Sequence, residues 1–245
     1  MIYPLLWLVA SSFKSNDTMF KNTYSLFAST AGYSFGHFFM NSAIVTVIGV
    51  VCTIFFSLLA TYAVSRVKFF GAHFWFGCII MTMMIPAQVM VVPQYIILKK
   101  LHLNDTLLAM ILPWAFGGAF FVFLIVQYMR GIPKELDEAA MIDGCSKIGI
   151  LFKILVPVVQ PAIVSAAIFA FYWIWQDFFL PLIFVGSPKN YTIPLALNMY
   201  TDPNSYNNYG GLFAMSVISL LPVILVFIKF QKYLVEGIAT DGIKG

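Results

Sequence analysis

Polar side chains inside apolar runs are the residues of this sequence that could do chemistry. Asp177 is the acid that falls within such a run, and Gln88 and Gln94 lie beside Pro86 and Pro93. A buried carboxylate is costly in lipid, so Asp177 should face a pore, a partner or the outer interface. Glutamine can satisfy backbone carbonyls that a nearby proline leaves free. These side chains are candidates for a polar path through a membrane, and packing between helices explains the two glutamines at least as well.

Aromatic and amide side chains next to Asp177 indicate a second kind of chemistry. Tyr172, Trp173, Trp175 and Gln176 could stack on a sugar and hydrogen-bond to it. Trp173 and Trp175 are also typical of an aromatic belt at a membrane interface, where Asp177 would be an interfacial acid. Belt formation and helix packing are the simpler interpretation for any one of these aromatic residues.

The sequence carries no catalytic or metal-binding pattern. Its three cysteines are isolated, without a CxxC pair or a Cys/His cluster. No paired aspartates, Ser/His pair or HExxH motif occurs in the apolar runs, and no phosphate-cradling Gly-x-x-x-x-Gly-Lys motif occurs anywhere. The residues therefore offer no candidate for a catalytic, cofactor or metal site.

The composition limits the class of protein. Hydrophobic residues make up 61% of the 245 residues and charged residues only 10%, with a mean hydropathy of +0.89. A soluble domain carries roughly 25% charged residues, because its surface needs them. These values exclude an ordinary soluble enzyme, a disordered chain and a nucleic-acid binder. The apolar runs are also far longer than barrel strands, so the sequence predicts an all-α, polytopic membrane protein in contact with lipid.

Five apolar runs are long enough to span a membrane as helices, which takes about 20 residues. They cover residues 38–64, 74–98, 106–128, 158–185 and 211–234. A sixth run, residues 2–13, is too short to cross. We interpret it as the outer half of a first spanning helix, preceded in the natural product by about 20 to 30 further residues. The alternative is a short interfacial segment. The expected fold has about six transmembrane helices in a single transmembrane domain, residues 1–245.

The distribution of lysine and arginine predicts the orientation. With six spans, nine of the 14 cationic residues fall in loops on one side, and both arginines are among them. The positive-inside rule makes that side cytoplasmic. We therefore expect both termini in the cytoplasm.

The cytoplasmic segment 130–157, called here the 130–157 loop, has its own local structure. Pro133 is a favoured first helical residue, and the acids that follow it complement a helix N-terminus. Gly144 is placed as a left-handed helix terminator, and Ser146 can cap a second helix that reaches residue 156. Pro157 then marks the turn into the next span. The pattern predicts two short helices joined at a glycine.

The 130–157 loop resembles the EAA loop of bacterial ABC importer permeases. The match rests on Glu138-Ala139-Ala140, Gly144, Ile154 and Pro157 at the family's spacing, and it departs at Cys145 and Val156. In that family the loop is a coupling helix that docks on an ATPase dimer. The resemblance implies that role for Glu135, Glu138, Ala139, Ala140, Asp143, Gly144, Ile154 and Pro157. The alternative is an amphipathic interfacial hairpin without a partner.

A wider resemblance, over residues 33–245, is to the second permease subunit of maltose-type carbohydrate importers. It rests on Trp175-Gln176-Asp177-Phe178, Thr192-Ile193-Pro194-Leu195, Pro222 and the C-terminal tail. It implies a bacterial inner (plasma) membrane location, half of a translocation pore, and alternating access driven by ATP. It also implies a sister permease, a separate ATPase and an extracytoplasmic sugar-binding protein. An oligosaccharide is the expected substrate, with a monosaccharide derivative or a polyol as alternatives.

The outer loop between the fifth and sixth spans is rich in Asn, Tyr, Pro and Ser. Such residues suit wet recognition surfaces. With the resemblance, they suggest contact with the binding protein through Asn198, Tyr200, Asp202 and Tyr206. The alternative is a solvated loop with turns.

Two other functions are alternatives to the importer. A secondary transporter or channel subunit not driven by ATP would need ionisable residues at mid-membrane or paired broken helices, and Asp177 alone is thin support. An intramembrane enzyme would need catalytic pairs within the spans. Co-purification with an ATPase subunit would separate the importer from both.

Overall fold

The computed structural model describes Val9, residues 33–199 and residues 209–239, with side chains over 211–233 in the last stretch. The regular elements of this part of the chain are helical, with a short 3₁₀ turn at Pro188–Asn190. The helices are α1 (Phe35–Arg66), α2 (Ala72–Thr82), α3 (Ala87–Lys100), α4 (Leu107–Ala115), α5 (Ala119–Arg130), α6 (Glu135–Ile142), α7 (Lys147–Val158), α8 (Gln160–Trp175), α9 (Phe179–Phe184), α10 (Ile193–Met199) and α11 (Tyr209–Ala239).

The five long apolar runs are helical, as predicted. Phe35–Arg66, Leu107–Arg130 and Gly211–Tyr233 are each long and apolar enough to cross a membrane. α2 with α3, and α7 with α8, meet that criterion as bent pairs, so the described residues hold up to five spans. The predicted first half-span, residues 2–13, lies outside the described residues apart from Val9.

Two spans differ from the continuous helices that were predicted. α2 and α3 meet at an angle of 98°, and the break lies just before Pro86. Proline cannot donate a backbone hydrogen bond and disfavours helical geometry in the residue before it. The run 158–185 is also interrupted, because α8 ends at Trp175. Asp177 Oδ1 then accepts hydrogen bonds from the backbone N–H groups of Phe179 (3.0 Å) and Leu180 (3.2 Å) and starts α9.

By packing, the chain divides into two compact units, each made of several segments. The first unit comprises Met1–Val47, Pro93–Ile111 and Tyr172–Ile228. The second comprises Ile48–Val92, Leu112–Phe171 and Lys229–Gly245. The long helices α1 and α11 each contribute residues to both units.

The first unit ties the beginning of α1 to the segment before α10. Asn41 Nδ2 donates to the backbone carbonyls of Lys189 (2.9 Å) and Tyr191 (3.0 Å). Ser42 Oγ accepts from the backbone N–H of Ile193 (2.8 Å). Asn41 and Ser42 are buried, so these bonds satisfy polar groups that would be costly in an apolar interior.

Asp105 makes a second set of hydrogen bonds within the first unit. Its carboxylate accepts hydrogen bonds from the backbone N–H groups of Gly186 (3.0 Å) and Ser187 (2.8 Å) and from the Ser187 hydroxyl. Asn190 Nδ2 donates to the Asp105 backbone carbonyl (2.6 Å). Burial raises the pKa of the Asp105 carboxyl, but these hydrogen bonds to its charged form outweigh burial and leave the pKa below its ordinary value.

In the second unit, α1 packs against the Leu107–Arg130 span through small polar residues. Hydroxyl side chains recur on α1 at every fourth position over residues 53–65. Thr53 Oγ1 donates to the Trp114 carbonyl (2.6 Å), and Thr61 Oγ1 donates to the Val122 carbonyl (3.3 Å). Small side chains let two helix backbones approach closely in a membrane, and the hydroxyls add hydrogen bonds between them.

The closest of these approaches lies at the break between α4 and α5. Gly117 adopts a left-handed conformation with φ of 80°. A Cβ atom added there would lie 2.7 Å from Ser57 Oγ and 3.1 Å from the Ser57 backbone nitrogen. Only glycine therefore fits this position, both for its backbone angle and for the space available.

Candidate functional site

The first helix of the 130–157 loop, α6, is exposed over most of its surface, and one stripe of that surface carries two carboxylates. Glu135, Glu138, Ala139 and Ile142 recur at i, i+3, i+4 and i+7, which is one face of an α-helix, and all are exposed. Ala140 lies off this stripe and is buried, with 6% of its surface exposed. The exposed stripe combines two carboxylates with the most exposed apolar side chain of the helix, Ile142, which is 86% exposed. This chemistry suits binding of another protein surface.

Gly144 ends α6 as the sequence predicts. Its φ is 77°, which is the left-handed region. The backbone N–H of Cys145 donates to the Ala140 carbonyl (2.9 Å), and the N–H of Gly144 donates to the Met141 carbonyl (3.1 Å). This pair of bonds is the Schellman arrangement, which satisfies carbonyls at a helix end. No atom lies within 4 Å of a Cβ built on Gly144, so the requirement for glycine here comes from the backbone angle alone.

The predicted cap of the second helix is also present. Ser146 Oγ accepts a hydrogen bond from the backbone N–H of Gly149 (3.1 Å) at the start of α7. Gly149 is helical, but a Cβ there would lie 2.8 Å from Cys145 Sγ and 3.2 Å from Ser146 Oγ. The Cys145 side chain therefore fits because Gly149 leaves room for it.

The middle of α7 differs from the regular helix that was predicted. Residues Ile150–Leu155 form a π-helix, and the backbone N–H of Val156 donates to the Leu151 carbonyl. Pro157 explains this, because its ring crowds the carbonyl four residues before it and its nitrogen cannot donate. Helix α7 continues through Pro157 to Val158, so the 81° bend into α8 falls two residues later than predicted. Pro157 is exposed and Ile154 is half-buried.

Arg66, the last residue of α1, fixes the beginning of the 130–157 loop. Its guanidinium donates to the backbone carbonyls of Met129 (2.6 Å) and Ile132 (2.9 Å), with a longer contact to Pro133 (3.5 Å). It also pairs with Asp137 Oδ2 at 3.3 Å. The side chains of Arg66 and Asp137 are only 3% and 13% exposed. A charge buried this way needs partners, and Arg66 has both a carboxylate and carbonyls.

Sequence reasoning missed part of this arrangement. It assigned Asp137 to the helix N-terminus and Arg66 to a loop charge, since their pairing joins residues 71 positions apart. It also left out Ile142 and Ile148, the most exposed apolar side chains of the loop, at 86% and 70%. The seven-residue spacing of Ile142 from Glu135 was a signal that could have found the former. Asp143, which was predicted, is exposed at the end of α6.

The proposed substrate-path residues divide into exposed and packed positions. Tyr172 and Gln176 are exposed, and Trp173 is half-buried. Trp175 is buried, its Nε1 donates to the Ser219 carbonyl (3.1 Å), and its ring packs edge-on against another aromatic ring. For Trp175 this geometry favours helix packing over sugar contact, whereas Tyr172 and Gln176 are open to a ligand.

The remaining candidates are placed as follows. Gln88 is exposed and belongs to the second unit, and Gln94 is half-buried and belongs to the first. Asn198 is exposed near the end of α10. Tyr200, Asp202 and Tyr206 lie outside the described residues, so their role in binding-protein contact stays a prediction.

Comparison with known proteins identifies the family. Residues 53–240 match the family described as the binding-protein-dependent transport system inner membrane component. The probable ABC transporter permease protein YurM of Bacillus subtilis is 38% identical over 252 residues, which cover 99% of this chain and 84% of YurM. The arabinooligosaccharides transport system permease protein AraQ of Halalkalibacterium halodurans is 33% identical over 257 residues, which cover 100% of this chain and 91% of AraQ.

A solved structure supports the same fold. It is the crystal structure of a bacterial ABC transporter involved in the import of the acidic polysaccharide alginate. One of its chains superposes with a TM-score of 0.81 at 22% identity, covering 95% of this chain and 90% of that chain. The family match and the two relatives together show that this chain is a permease of the binding-protein-dependent ABC transport family, an inner membrane component.

Proposed function

We propose that this permease forms half of the pore of an ATP-driven importer of oligosaccharides and that its 130–157 loop docks on a separate ATPase. The other half of the pore is a sister permease, and an extracytoplasmic binding protein delivers the sugar. Residues 1–245 act as one permease domain, with both termini in the cytoplasm. ATP-driven closure of the ATPase dimer moves the 130–157 loop and exchanges inward for outward opening of the pore.

The observation that carries the docking proposal is an exposed stripe on a rigidly held helix. A surface that receives force from a partner must be free to bind it and must not deform when pushed. Glu135, Glu138 and Ile142 meet the first condition because they are exposed. The buried pair of Arg66 with Asp137, the residue next to Glu138, meets the second. An interfacial hairpin without a partner would bury Ile142 in lipid and would not place two carboxylates beside it.

The docking proposal is tested by reversing one charge on the stripe. The chain is produced with its sister permease and ATPase and reconstituted in vesicles. Glu138→Lys should reduce transport-coupled ATP hydrolysis at least tenfold, because it places a cation where the partner surface meets an anion and also opposes the helix dipole. The permease pair should still assemble. Lys100→Glu, an exposed charge reversal at the end of α3, is the matched control and should leave hydrolysis unchanged. Full coupling in Glu138→Lys would refute docking through this stripe.

The assignment of ATP hydrolysis to a separate subunit is tested on the purified chain alone. The sequence has no phosphate-cradling motif, so the purified permease should bind no nucleotide above background. Stoichiometric ATP binding to this polypeptide would contradict the assignment of hydrolysis to a separate subunit.

The oligosaccharide substrate is supported by the relatives. AraQ is named for arabinooligosaccharides, and a further relative, 29% identical, is the trehalose/maltose transport system permease protein MalG of Thermococcus litoralis. Exposed Tyr172 and Gln176 offer an aromatic face and an amide, which suit a neutral sugar. Uptake of radiolabelled oligosaccharides should fall in Tyr172→Ala with assembly intact. Uptake of a labelled amino acid by the wild type, without uptake of any oligosaccharide, would contradict this substrate class.

A further inference from the structure

A cavity of about 670 Å³ lies in the second unit beside the base of the 130–157 loop. Its walls come from the end of α1, the start of α2 and the residues that follow α5. The volume is within the range of small-molecule sites. The cavity is distinct from the exposed stripe of α6, because none of the stripe residues lines it.

The charged lining of the cavity is entirely basic. Arg66, Lys68, His73, Arg130 and Lys134 line it, and no acidic residue does so within the described part of the chain. Asp137 neutralises Arg66. Lys68, Lys134 and Arg130 are exposed. Within residues 33–199 and 211–233 their side chains make no hydrogen bond or ion pair. Three positive charges therefore face one cavity without a counter-ion, which favours an anionic ligand.

Aromatic side chains also line the cavity. Phe69 and Phe70 line it, and Phe70 is fully exposed. Phe74 and Trp75 follow on α2, at 67% and 56% exposure. The Arg130 guanidinium lies 4.4 Å from the centre of the Phe76 ring, which holds it beside these aromatic side chains. Aromatic side chains next to basic ones, at the end of a spanning helix, are typical of the headgroup level of a membrane.

We propose that this cavity binds the headgroup of an anionic phospholipid. The phosphate lies among Lys68, Arg130 and Lys134, and the acyl chains lie over Phe70 and Phe74. A soluble phosphate would satisfy the charges but would leave the exposed aromatic side chains in contact with water. The proposal needs only the membrane location that the family shows, and it does not depend on docking to an ATPase. Because Arg66 and Ile132 belong to both the cavity wall and the base of the 130–157 loop, the bound lipid also holds that base in place.

Native mass spectrometry of the full chain tests the proposal. The protein is released from detergent micelles that contain equimolar phosphatidylglycerol and phosphatidylcholine, and the retained lipid is counted. The wild type should retain phosphatidylglycerol in preference. Lys68→Gln/Lys134→Gln should lower that preference by roughly fivefold for each lysine lost. Lys99→Gln/Lys100→Gln removes two exposed lysines at the far end of α3 and should keep the wild-type preference.

Three other outcomes would overturn the assignment of the cavity to an anionic phospholipid. Equal retention of the two lipids by the wild type would show that the cavity does not select an anion. Equal loss of preference in the control double variant would show a general charge effect and not a site. Displacement of the retained lipid by excess glycerol 3-phosphate would identify a soluble phosphate as the ligand. Thermal unfolding of each variant, compared with the wild type, confirms that a lost preference does not come from misfolding.

Discussion

Replacing Arg66 with methionine should loosen the 130–157 loop from the end of α1. Methionine keeps most of the apolar stem but removes every donor. The carbonyls of Met129 and Ile132 then lose hydrogen bonds of 2.6 and 2.9 Å, and Asp137 loses its cation at 3.3 Å. Asp137 Oδ1 is buried and already lacks a hydrogen-bond partner in the described residues. The variant therefore leaves a buried carboxylate almost without compensation.

The magnitude follows from burial. Removing one partner of a buried ion pair costs about 3–5 kcal/mol. The Asp137 side chain is 13% exposed, so water compensates part of this, and we expect about 3 kcal/mol for Arg66→Met. Asp137→Asn should cost less, about 1–2 kcal/mol, because Arg66 keeps its carbonyl acceptors. Replacing both residues by apolar ones, Arg66→Met/Asp137→Leu, should recover part of the loss, since no unpaired charge remains.

Hydrogen exchange of the α6 backbone amides in detergent measures this cost locally. Protection of α6 should fall in the order wild type, Asp137→Asn, Arg66→Met, and coupled ATP hydrolysis should fall in the same order. Lys99→Met is the control, because it removes an exposed cation elsewhere. The reasoning is refuted if Asp137→Asn damages the loop more than Arg66→Met does, or if the double apolar variant is no better than Arg66→Met.

Three further predictions concern backbone and charge. Gly144→Ala should lower the hydrogen-exchange protection of α6 by about 1 kcal/mol, because the φ of 77° alone disfavours a residue with a Cβ atom. Gly144→Asn should have a smaller effect, since asparagine adopts this conformation more readily, and equal effects of the two variants would contradict the reasoning. Gly117→Ala should lower the thermal midpoint more than Gly144→Ala, and Ser57→Ala should not rescue it, because the Ser57 backbone nitrogen would still lie 3.1 Å from the new Cβ. Asp105 has a lowered pKa, so its stabilisation is present above the ordinary value of 3.8 and is lost as the pH falls further. Thermal midpoints of the wild type and Asp105→Asn should therefore converge below about pH 4, and a constant difference would be the contrary result.

Local features of this protein could be predicted from the sequence. The long apolar runs predicted the spanning helices, since helix length in a membrane depends on composition over about 20 residues. Gly144 and Ser146 were predicted correctly as terminator and cap, because each acts on backbone groups a few residues away. Family resemblance then gave the class of protein, which composition alone could not.

Contacts between distant residues could not be predicted in this way. The ion pair of Arg66 with Asp137 depends on how α1 packs beside α5, which no local pattern contains. The π-helical segment before Pro157 could not be predicted either, because a helix can meet a proline with a kink, a break or a π-bulge, and the local sequence does not decide between them. Exposure could not be predicted either, so Tyr172 and Trp175, two aromatic residues three positions apart, were assigned the same role although Trp175 is buried and Tyr172 is exposed.

The attachment of the 130–157 loop at Arg66 has a mechanical consequence. Arg66 is the final residue of a helix of 32 residues, which is about 48 Å long. A loop joined to its span by a flexible linker would dissipate a displacement within the linker. Here the Arg66 guanidinium binds the Met129 carbonyl of α5 and both the Ile132 carbonyl and the Asp137 carboxylate of the loop, so a force on α6 should reach the end of α1 directly. The hydrogen bonds of Thr53 and Thr61 and the close approach of Ser57 to Gly117 join α1 in turn to the Leu107–Arg130 span, so a displacement of the loop should move these two elements together.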